Sequence, residues 1–329
     1  MSSTVLVITN EEDLHASAVI AHLNEMGKQV FRLNTENLLT KQTVSLKQSD
    51  AGESLKIRDQ ANGRSICGEE IGVVYFRRPA PPEVPTIWGD NTQAKEVVAS
   101  EARWFLRWLY AYLHDRPWFS ANPSIIDHAS CKPLQLKLAR SLGMRVPNTY
   151  YGNNSSEILS MALESSLVVK AIRETGFEAN EVFHAFYTAE VDREQLKESP
   201  GLLSGSLNFL QQKFEKDHEL RVTWVDGHCY AARINSQTGP ETAKLDWRRV
   251  NWQDLDYSVA ILPPKLEQQI SAYCQALGLN YGAFDFIVTK DGEYVFLECN
   301  SNGQWLWIDE KLQMGIAQGI ATALQQRTR

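Results

Sequence analysis

The stretch that decides the fold is Tyr281–Trp307, YGAFDFIVTKDGEYVFLECNSNGQWLW. Two alternating runs rich in β-branched and aromatic residues flank Asp291-Gly292, which suits a two-residue hairpin loop because both positions of such a loop take φ > 0. With that loop, Lys290 pairs with Glu293, Thr289 with Tyr294, Val288 with Val295, Ile287 with Phe296, Phe286 with Leu297 and Asp285 with Glu298. Two carboxylates then stand opposite each other with Cβ atoms about 4.5–5.5 Å apart, where like charges destabilise. Strand periodicity puts Asn300 on the face of Glu298. Two carboxylates and an amide oxygen are a hard-oxygen set suited to Mg²⁺, which keeps several waters and bridges to substrate phosphates. The competing reading is an exposed face with solvated carboxylates. Ile287 and Phe296, expected on the same face, favour a covered one.

At 329 residues the chain exceeds one ordinary core, and two or three packed units are expected. A hydrophobic fraction of 43% with 22% charged residues is globular. The net charge of −7 argues against nucleic acid as a partner held by a general basic surface, but leaves room for a local positive pocket. Five cysteines (67, 131, 229, 274, 299) are scattered with no zinc-knuckle or redox spacing, which suits a reducing cytoplasm. The start, MSSTVLVITNEED, has no basic region followed by an apolar run and a cleavage site, so no signal peptide is expected. No apolar stretch approaches the ~20 residues of a membrane span, so no membrane role is expected either.

Thr4–Thr9, a helical pattern over Asp13–Met26 closed by Gly27, and Val30–Leu33 form a β-α-β opening whose natural home is a parallel sheet. No glycine-rich fingerprint follows the first strand, so a dinucleotide role is unsupported. Runs near Val44–Leu46 and Leu55–Ile57 read as edge hairpins. The buried run Gly72–Phe76 ends in Arg77-Arg78, which suits either an anionic ligand at the strand's carboxyl end or ion pairs with nearby acids. A helix over Thr92–Asp115 carries Val97, Trp104, Phe105, Trp108 and Tyr112, read as core. Trp118–His128 reads as irregular. The helix Cys131–Gly143 has Lys132 at its start, where the helix dipole disfavours a cation, so Lys132 calls for a partner.

Leu167–Ile172 (LVVKAI) is a strand in which Lys170 interrupts an apolar run, so either an anion or an edge facing solvent must accommodate it. Arg173–Asn180 is a candidate loop over a ligand, followed by a strand over Val182–Thr188 and another over Leu207–Phe214. Leu220–Ala232 repeats the hairpin pattern around Asp226-Gly227 and pairs Arg221 with Ala232, so Arg221 and Arg233 face opposite sides. Ser236–Trp252 is either a surface loop or a substrate segment. A helix over Lys265–Leu277 and a closing helix from about Ile308, with Ile316, Ile320 and Leu324, complete the chain.

Together VVYFRRP, SCKPLQLKLARSLGMRVPNT, LVVKAI, FLQQKFEKDHELRVTWVDGHCYAARI, LDWRR and GAFDFIVTKDGEYVFLECNSNGQWLWI resemble the ATP-grasp ligases, and within them the graspetide (microviridin-type) peptide-cyclising ligases. The resemblance implies an α/β chain, α+β in its ATP-grasp part. A β-α-β parallel-sheet domain over 1–122 would precede a central region over 123–206, holding the small ATP-grasp subdomain, and a C-terminal subdomain over 207–329 with the metal site. It implies that Lys132 and Lys170 contact ATP phosphates, and that Gln211, Gln212, Lys213 and Phe214 form the strand that holds adenine largely through backbone bonds. Arg221 would sit near the transferring phosphate, Asp285, Glu298 and Asn300 would hold Mg²⁺, and Asp246 with Arg248 would grip an acidic core peptide. Arg77 and Arg78 are further substrate candidates. The implied partner is a ribosomally made precursor peptide with leader and core, and a homodimer is left open.

The implied chemistry is ADP-forming: a side-chain carboxylate becomes an acyl phosphate, which a hydroxyl or amine attacks. Free amino acids as substrates, or a small-molecule kinase activity, are the alternatives. Two departures stand out: the loop Arg173–Asn180 is poor in glycine for a phosphate cover, and Cys299 replaces the more usual aliphatic residue.

Overall fold

The first sheet is parallel, as the β-α-β opening requires. Strands β1 (Thr4–Thr9) and β2 (Val30–Asn34) flank helix α1 (Leu14–Glu25), which Asp13 caps by accepting from Ala16 N. A separate antiparallel sheet of β3 (Gln42–Ser49), β4 (Gly52–Asp59) and β5 (Ser65–Cys67) precedes β6 (Ile71–Phe76). After helix α2 (Thr92–Tyr112), β7 (Trp118–Phe119) completes the order β2-β1-β6-β7. The computed structural model describes residues 3–173, 176–179, 182–198 and 200–328.

Helices α3 (Pro123–Ala129) and α4 (Lys132–Ser141) lead into β8 (Thr149–Gly152), α5 (Ser155–Glu164) and β9 (Leu167–Lys170). Strands β10 (Gly176–Ala179) and β11 (Val182–Ala185) pair with each other, and β12 (Ala189–Glu190) returns to β9. Helices α6 (Arg193–Glu198) and α7 (Pro200–Ser204) precede β13 (Asn208–Gln212), which lies centrally in the antiparallel sheet β12-β9-β13-β8.

The last sheet has the order β16-β15-β14-β17-β18. It consists of β14 (Lys216–Val225), β15 (His228–Ile234), β16 (Tyr257–Val259), β17 (Tyr281–Thr289) and β18 (Tyr294–Asn300), with helices α8 (Glu241–Leu245) and α9 (Pro264–Ala276) between them. One face packs on α4 and α9 through Leu136, Ile270, Tyr273, Phe284 and Phe296. The chain closes with α10 (Leu306–Leu312) and α11 (Ile316–Arg327). Ile316, Ile320 and Leu324 share a core with Val5 and Val7 of β1, Val19 and Leu23 of α1, and Ala283 of β17. The final helix thus joins the first sheet to the last. This arrangement, a parallel sheet followed by antiparallel ones, is the expected α/β class.

Several expectations change. The long helix α2 buries Ala102, Leu106 and Leu109, with Phe105 and Tyr112 packed against the same core, whereas Val97, Trp104 and Trp108 are 61%, 51% and 62% exposed, so only part of the expected stripe is core. The apolar positions of α2 form two stripes, and the sheet covers only one. Trp118–His128 is not irregular: it supplies β7 and α3. Within Arg173–Asn180, Glu174, Thr175 and Asn180 lie outside the described residues, and 176–179 is a strand, not loop. The closing helix is two helices, because Gln313 (φ 52) and Gly315 (φ 77) take left-handed conformations between them.

The decisive hairpin forms with a different tip. Thr289 N donates to Glu293 O at 3.0 Å and Gly292 N to Thr289 O at 2.9 Å, so the loop is Lys290-Asp291-Gly292. Only Gly292 (φ 79) is left-handed, the arrangement of a type I turn closed by a glycine bulge. The register therefore starts one residue off, with Val288 opposite Tyr294 and Phe286 opposite Phe296. A second bulge absorbs Leu297 and restores Asp285 opposite Glu298. Phe296 consequently turns into the core instead of sharing the face of Ile287. At Asp226-Gly227 both residues do have φ > 0 (48° and 99°), and Arg221 pairs with Ala232 as expected.

Candidate functional site

Across the last sheet, Arg221 of β14, Asp285 of β17 and Glu298 of β18 occupy one transverse row. Arg221 Nη1 donates to Asp285 Oδ1 and Oδ2 at 2.9 and 2.8 Å, and its Nη2 donates to Gln304 O at 2.9 Å. Lys132, the first residue of α4, forms an ion pair with Glu298. That is the partner its unfavourable position on the helix called for. Asn300 Nδ2 donates to Glu298 Oε1 at 3.2 Å, keeping the amide on the carboxylates' face.

The docking of α4 depends on Gln135, which sequence reading missed. Its Nε2 donates to Cys299 O at 2.8 Å and its Oε1 accepts from Cys299 N at 3.0 Å, as a neighbouring strand would. Buried polar groups must be paired, so this side chain fixes where Lys132 meets Glu298. Nothing in the sequence marks Gln135 apart from its position three residues beyond Lys132.

The row opens into a cavity of about 620 Å³, also lined by Lys170, Gln211, Gln212, Lys213, Phe214 and Arg248. Gln211 is buried, and its Oε1 has no hydrogen-bond partner. The N–H groups of Gln212 and Lys213 donate to Asn148 O and Ser166 O, both at 2.8 Å. Because β13 is paired along both edges, a base held through backbone bonds would lie at the strand end, around Lys213 and Phe214. Lys213 is paired with Glu190 at 2.7 Å.

Asp246 is buried and accepts from Arg248 Nε (2.8 Å) and Nη2 (2.7 Å) and from Thr188 N (2.9 Å). The Arg248 side chain remains 52% exposed. Asp246 thus orients Arg248, and Arg248 presents the charge. Next to them, Lys216 and Glu219 form a buried ion pair, and Ser236 donates to Glu219. Arg78 lines the cavity, while Arg77 lies behind it, 1% exposed. Arg77 Nη1 donates to Asn302 O (2.7 Å), Asn302 Oδ1 (3.1 Å) and Gly303 O (2.9 Å), and its Nε lies 3.4 Å from Asp13 Oδ2. The structure therefore places Arg77 out of reach of a substrate in the cavity, in the ion-pair arrangement that sequence left open.

The electrostatics separate the two carboxylates. Burial opposes the charge of Glu298, but Lys132 and Lys170 outweigh it and hold the carboxyl down to about 2. Burial, reinforced by Glu298, raises Asp285 against the pull of Arg221. Burial pushes Lys170 down to about 8, with Glu298 opposing and Lys132 assisting. Burial also opposes the charge of Asp246, but Arg248 pulls it well below the ordinary carboxylate range.

Among the described residues no three carboxylate, imidazole or thiolate groups converge as a closed metal cage. Asp285, Glu298 and Asn300 instead form an open oxygen set, which fits an ion that retains waters and phosphate ligands. Among the described residues no helix is long and apolar enough to cross a membrane.

Residues 4–125 match the family model described as the MvdD pre-ATP grasp domain. Among solved structures, the chain resembles a RiPP-associated ATP-grasp ligase of Chryseobacterium gregarium, in complex with ADP and a leader and core peptide. The two share 26% identity with a TM-score of 0.91, over 99% of this chain and 97% of that one. It also resembles the macrocyclase MdnC of Microcystis aeruginosa MRC bound with precursor peptide MdnA, at 28% identity and TM-score 0.84, over 98% and 99%. The macrocyclase MdnB of the same organism aligns at 28% identity and TM-score 0.79, over the same shares. A search of curated proteins found no match.

Proposed function

We infer that this chain is an ATP-grasp peptide ligase of the graspetide, microviridin-type kind. With ATP and Mg²⁺ it joins Asp or Glu side chains of a ribosomally made precursor peptide to Thr or Ser hydroxyls, or to Lys amines, and so closes macrocycles. The observation that carries this reading is the row Arg221–Asp285–Glu298, flanked by Lys132 and Lys170, in a chain that aligns end to end with a ligase solved with ADP and peptide and with a macrocyclase solved with its precursor peptide.

In this reading the peptide carboxylate attacks the γ-phosphorus of ATP, forming an acyl phosphate and releasing ADP. A peptide hydroxyl or amine then attacks the acyl carbon, loses its proton, and expels phosphate. Asp285, Glu298 and Asn300 would hold Mg²⁺, whose chemistry there is to neutralise phosphate oxygens. Lys132 and Lys170 contribute positive charge on the same side. Arg221, held by Asp285 and Gln304, faces the transferring group and stabilises negative charge that develops on it. Gln211, Gln212, Lys213 and Phe214 border the adenine. Arg248, aligned by Asp246, meets the acidic core of the peptide, and Arg78 adds a second cation at the rim. A leader segment docks separately from the core. The five unpaired cysteines support a reducing, cytoplasmic setting.

The test is incubation of the full chain with ATP, Mg²⁺ and the short acidic peptide encoded beside it, read by mass spectrometry. Loss of one water per link is expected, with ADP released. Mild alkaline hydrolysis separates esters, which reopen, from amides, which persist. Unchanged peptide mass with every neighbouring acidic peptide would overturn the reading. A mass gain would point instead to addition of free amino acids.

A further inference from the structure

The loop 301–305, between the candidate metal strand and α10, is held from both ends. Arg77 grips Asn302 O and Gly303 O, and the Tyr281 hydroxyl donates to Gly303 O at 2.8 Å. The other end is held by His15 of α1, a residue with no part in the site described above. Leu306 N, the first N–H of α10, donates to His15 Nδ1 at 3.2 Å, and the imidazole meets the Trp305 ring edge-on with centroids 5.0 Å apart. The first N–H groups of a helix have no partner within it, and a polar side chain at the residue before the helix commonly supplies one. Here that residue is Trp305, whose indole has no acceptor and makes no capping bond. His15, 291 positions away, supplies the acceptor instead.

What lies between the two anchorages is the carbonyl of Gln304, which accepts from Arg221 Nη2 at 2.9 Å. Among the described residues the other partner of that guanidinium is Asp285, through Nη1. The plane of Arg221 is therefore set by a carboxylate on one side and a main-chain carbonyl on the other. Gln304 is exposed and Trp305 is fully buried, so the carbonyl is held in place from the Trp305 side. Arg221 and His15 bond the peptide units on either side of Trp305, one through its oxygen and the next through its N–H. A neutral acceptor suits this place. Burial, aided by the guanidinium groups of Arg77, Arg78 and Arg221, pushes the His15 imidazole down to about 3, so Nδ1 keeps its lone pair at neutral pH. An aspartate there would also accept, but its charge would compete with the loop carbonyls for Arg77 and Arg221.

We propose that His15 is a positioning residue for phosphoryl transfer: by fixing the peptide unit after Trp305 it fixes Gln304 O, and through that carbonyl the guanidinium of Arg221. The inference rests on the reading of Arg221 as the group that faces the transferring phosphate. A preorganised donor stabilises developing charge only while its orientation is held, so loosening it raises the barrier of the chemical step. ATP and peptide, bound by other groups, keep their affinity. The loss accordingly falls on kcat and not on KM.

Steady-state kinetics of the full chain with ATP, Mg²⁺ and the acidic peptide encoded beside it test this, read both as ADP release and as peptide mass. H15F keeps a flat ring against Trp305 and removes the acceptor, whereas H15N puts an amide oxygen where Nδ1 stood. H15F should lower kcat about 10-fold, as for the loss of one hydrogen bond, with KM for ATP and for the peptide unchanged. H15N should recover most of the rate. In an R221K background, which keeps the charge but not the guanidinium fork, H15F should cost little further, because the group it orients is gone. H15A repeats the comparison should H15F fold poorly. The proposal is overturned if H15F retains kcat, if H15N is no better than H15F, or if H15F costs the same in both backgrounds, which would make His15 a helix cap and nothing more. A wild type that releases ADP but joins no peptide overturns the ligase reading alone, and the His15 variants are then compared on ADP release.

Discussion

Lys170 is the residue whose proton the proposed site depends on most visibly. Burial holds it near 8, below the 10.5 of an ordinary lysine, so its charged form is penalised in the fold at neutral pH. That penalty is relieved as pH rises from about 8 to 10.5, so this group alone makes the protein more stable over that interval. Phosphate binding has the opposite dependence, because it needs the charge. We expect kcat/KM for ATP to fall as pH rises through about 8, and Lys170→Arg to shift that limb to higher pH. A pH profile of ADP release checks this. Glu298→Gln keeps the shape but removes the charge that faces Lys132. We expect ligation to drop on the order of 100-fold, as when a group serving the transition state is lost, measured by single-turnover mass spectrometry. The pairing of Asp285 with Glu298 was legible because both lie on one hairpin and strand facing has period two. Gln135 was not, since its role depends on a helix meeting a strand 164 residues away.

At the level of elements, alternating patterns identified β14, β15, β17 and β18, and the Asp226-Gly227 loop was read correctly. The Asp291-Gly292 loop was read one residue short, and the carboxylates still paired because the bulge at Leu297 cancels the extra loop residue. Sequence reading has no handle on such a bulge, because side-chain alternation on either side of it looks regular. Gly292 has open space where a Cβ would lie, so only its left-handed backbone (φ +79) resists substitution. Gly292→Ala should therefore lower stability by about 1–2 kcal/mol, read by urea denaturation, with ligation retained. Deleting Leu297 removes the bulge and, with the loop unchanged, leaves Glu298 directly after Phe296 and so still opposite Asp285; ligation should persist, with peptide mass as the check. The error on α2 had a related origin: a helix with two apolar stripes looks from sequence like one with a broad core face.

At the scale of the whole molecule, the units inferred from composition are less separable than their sequence boundaries suggest. Helix α11, from the end of the chain, shares a core with α1 and β1, and Arg327 pairs with Asp226 at 2.7 and 2.8 Å. Arg77, from the first sheet, holds the carbonyls of Asn302 and Gly303, just beyond the candidate metal strand. A Cβ on Gly303 would come within 2.9 Å of Arg221 Nη2, so the loop that Arg77 grips is packed against the candidate phosphate arginine. Arg77→Met should destabilise the protein by about 3–5 kcal/mol, because Asp13 is left buried without its cation, and urea unfolding measures the loss. None of this was visible in the sequence, where Arg77 and Asn302 lie 225 positions apart. The anchor also bears on engineering. Chimeras that exchange the first domain would also exchange the guanidinium that fastens the loop behind the cavity. A transplanted domain without an arginine at that strand end would leave that loop unfastened, and the arginine packed against it less firmly held.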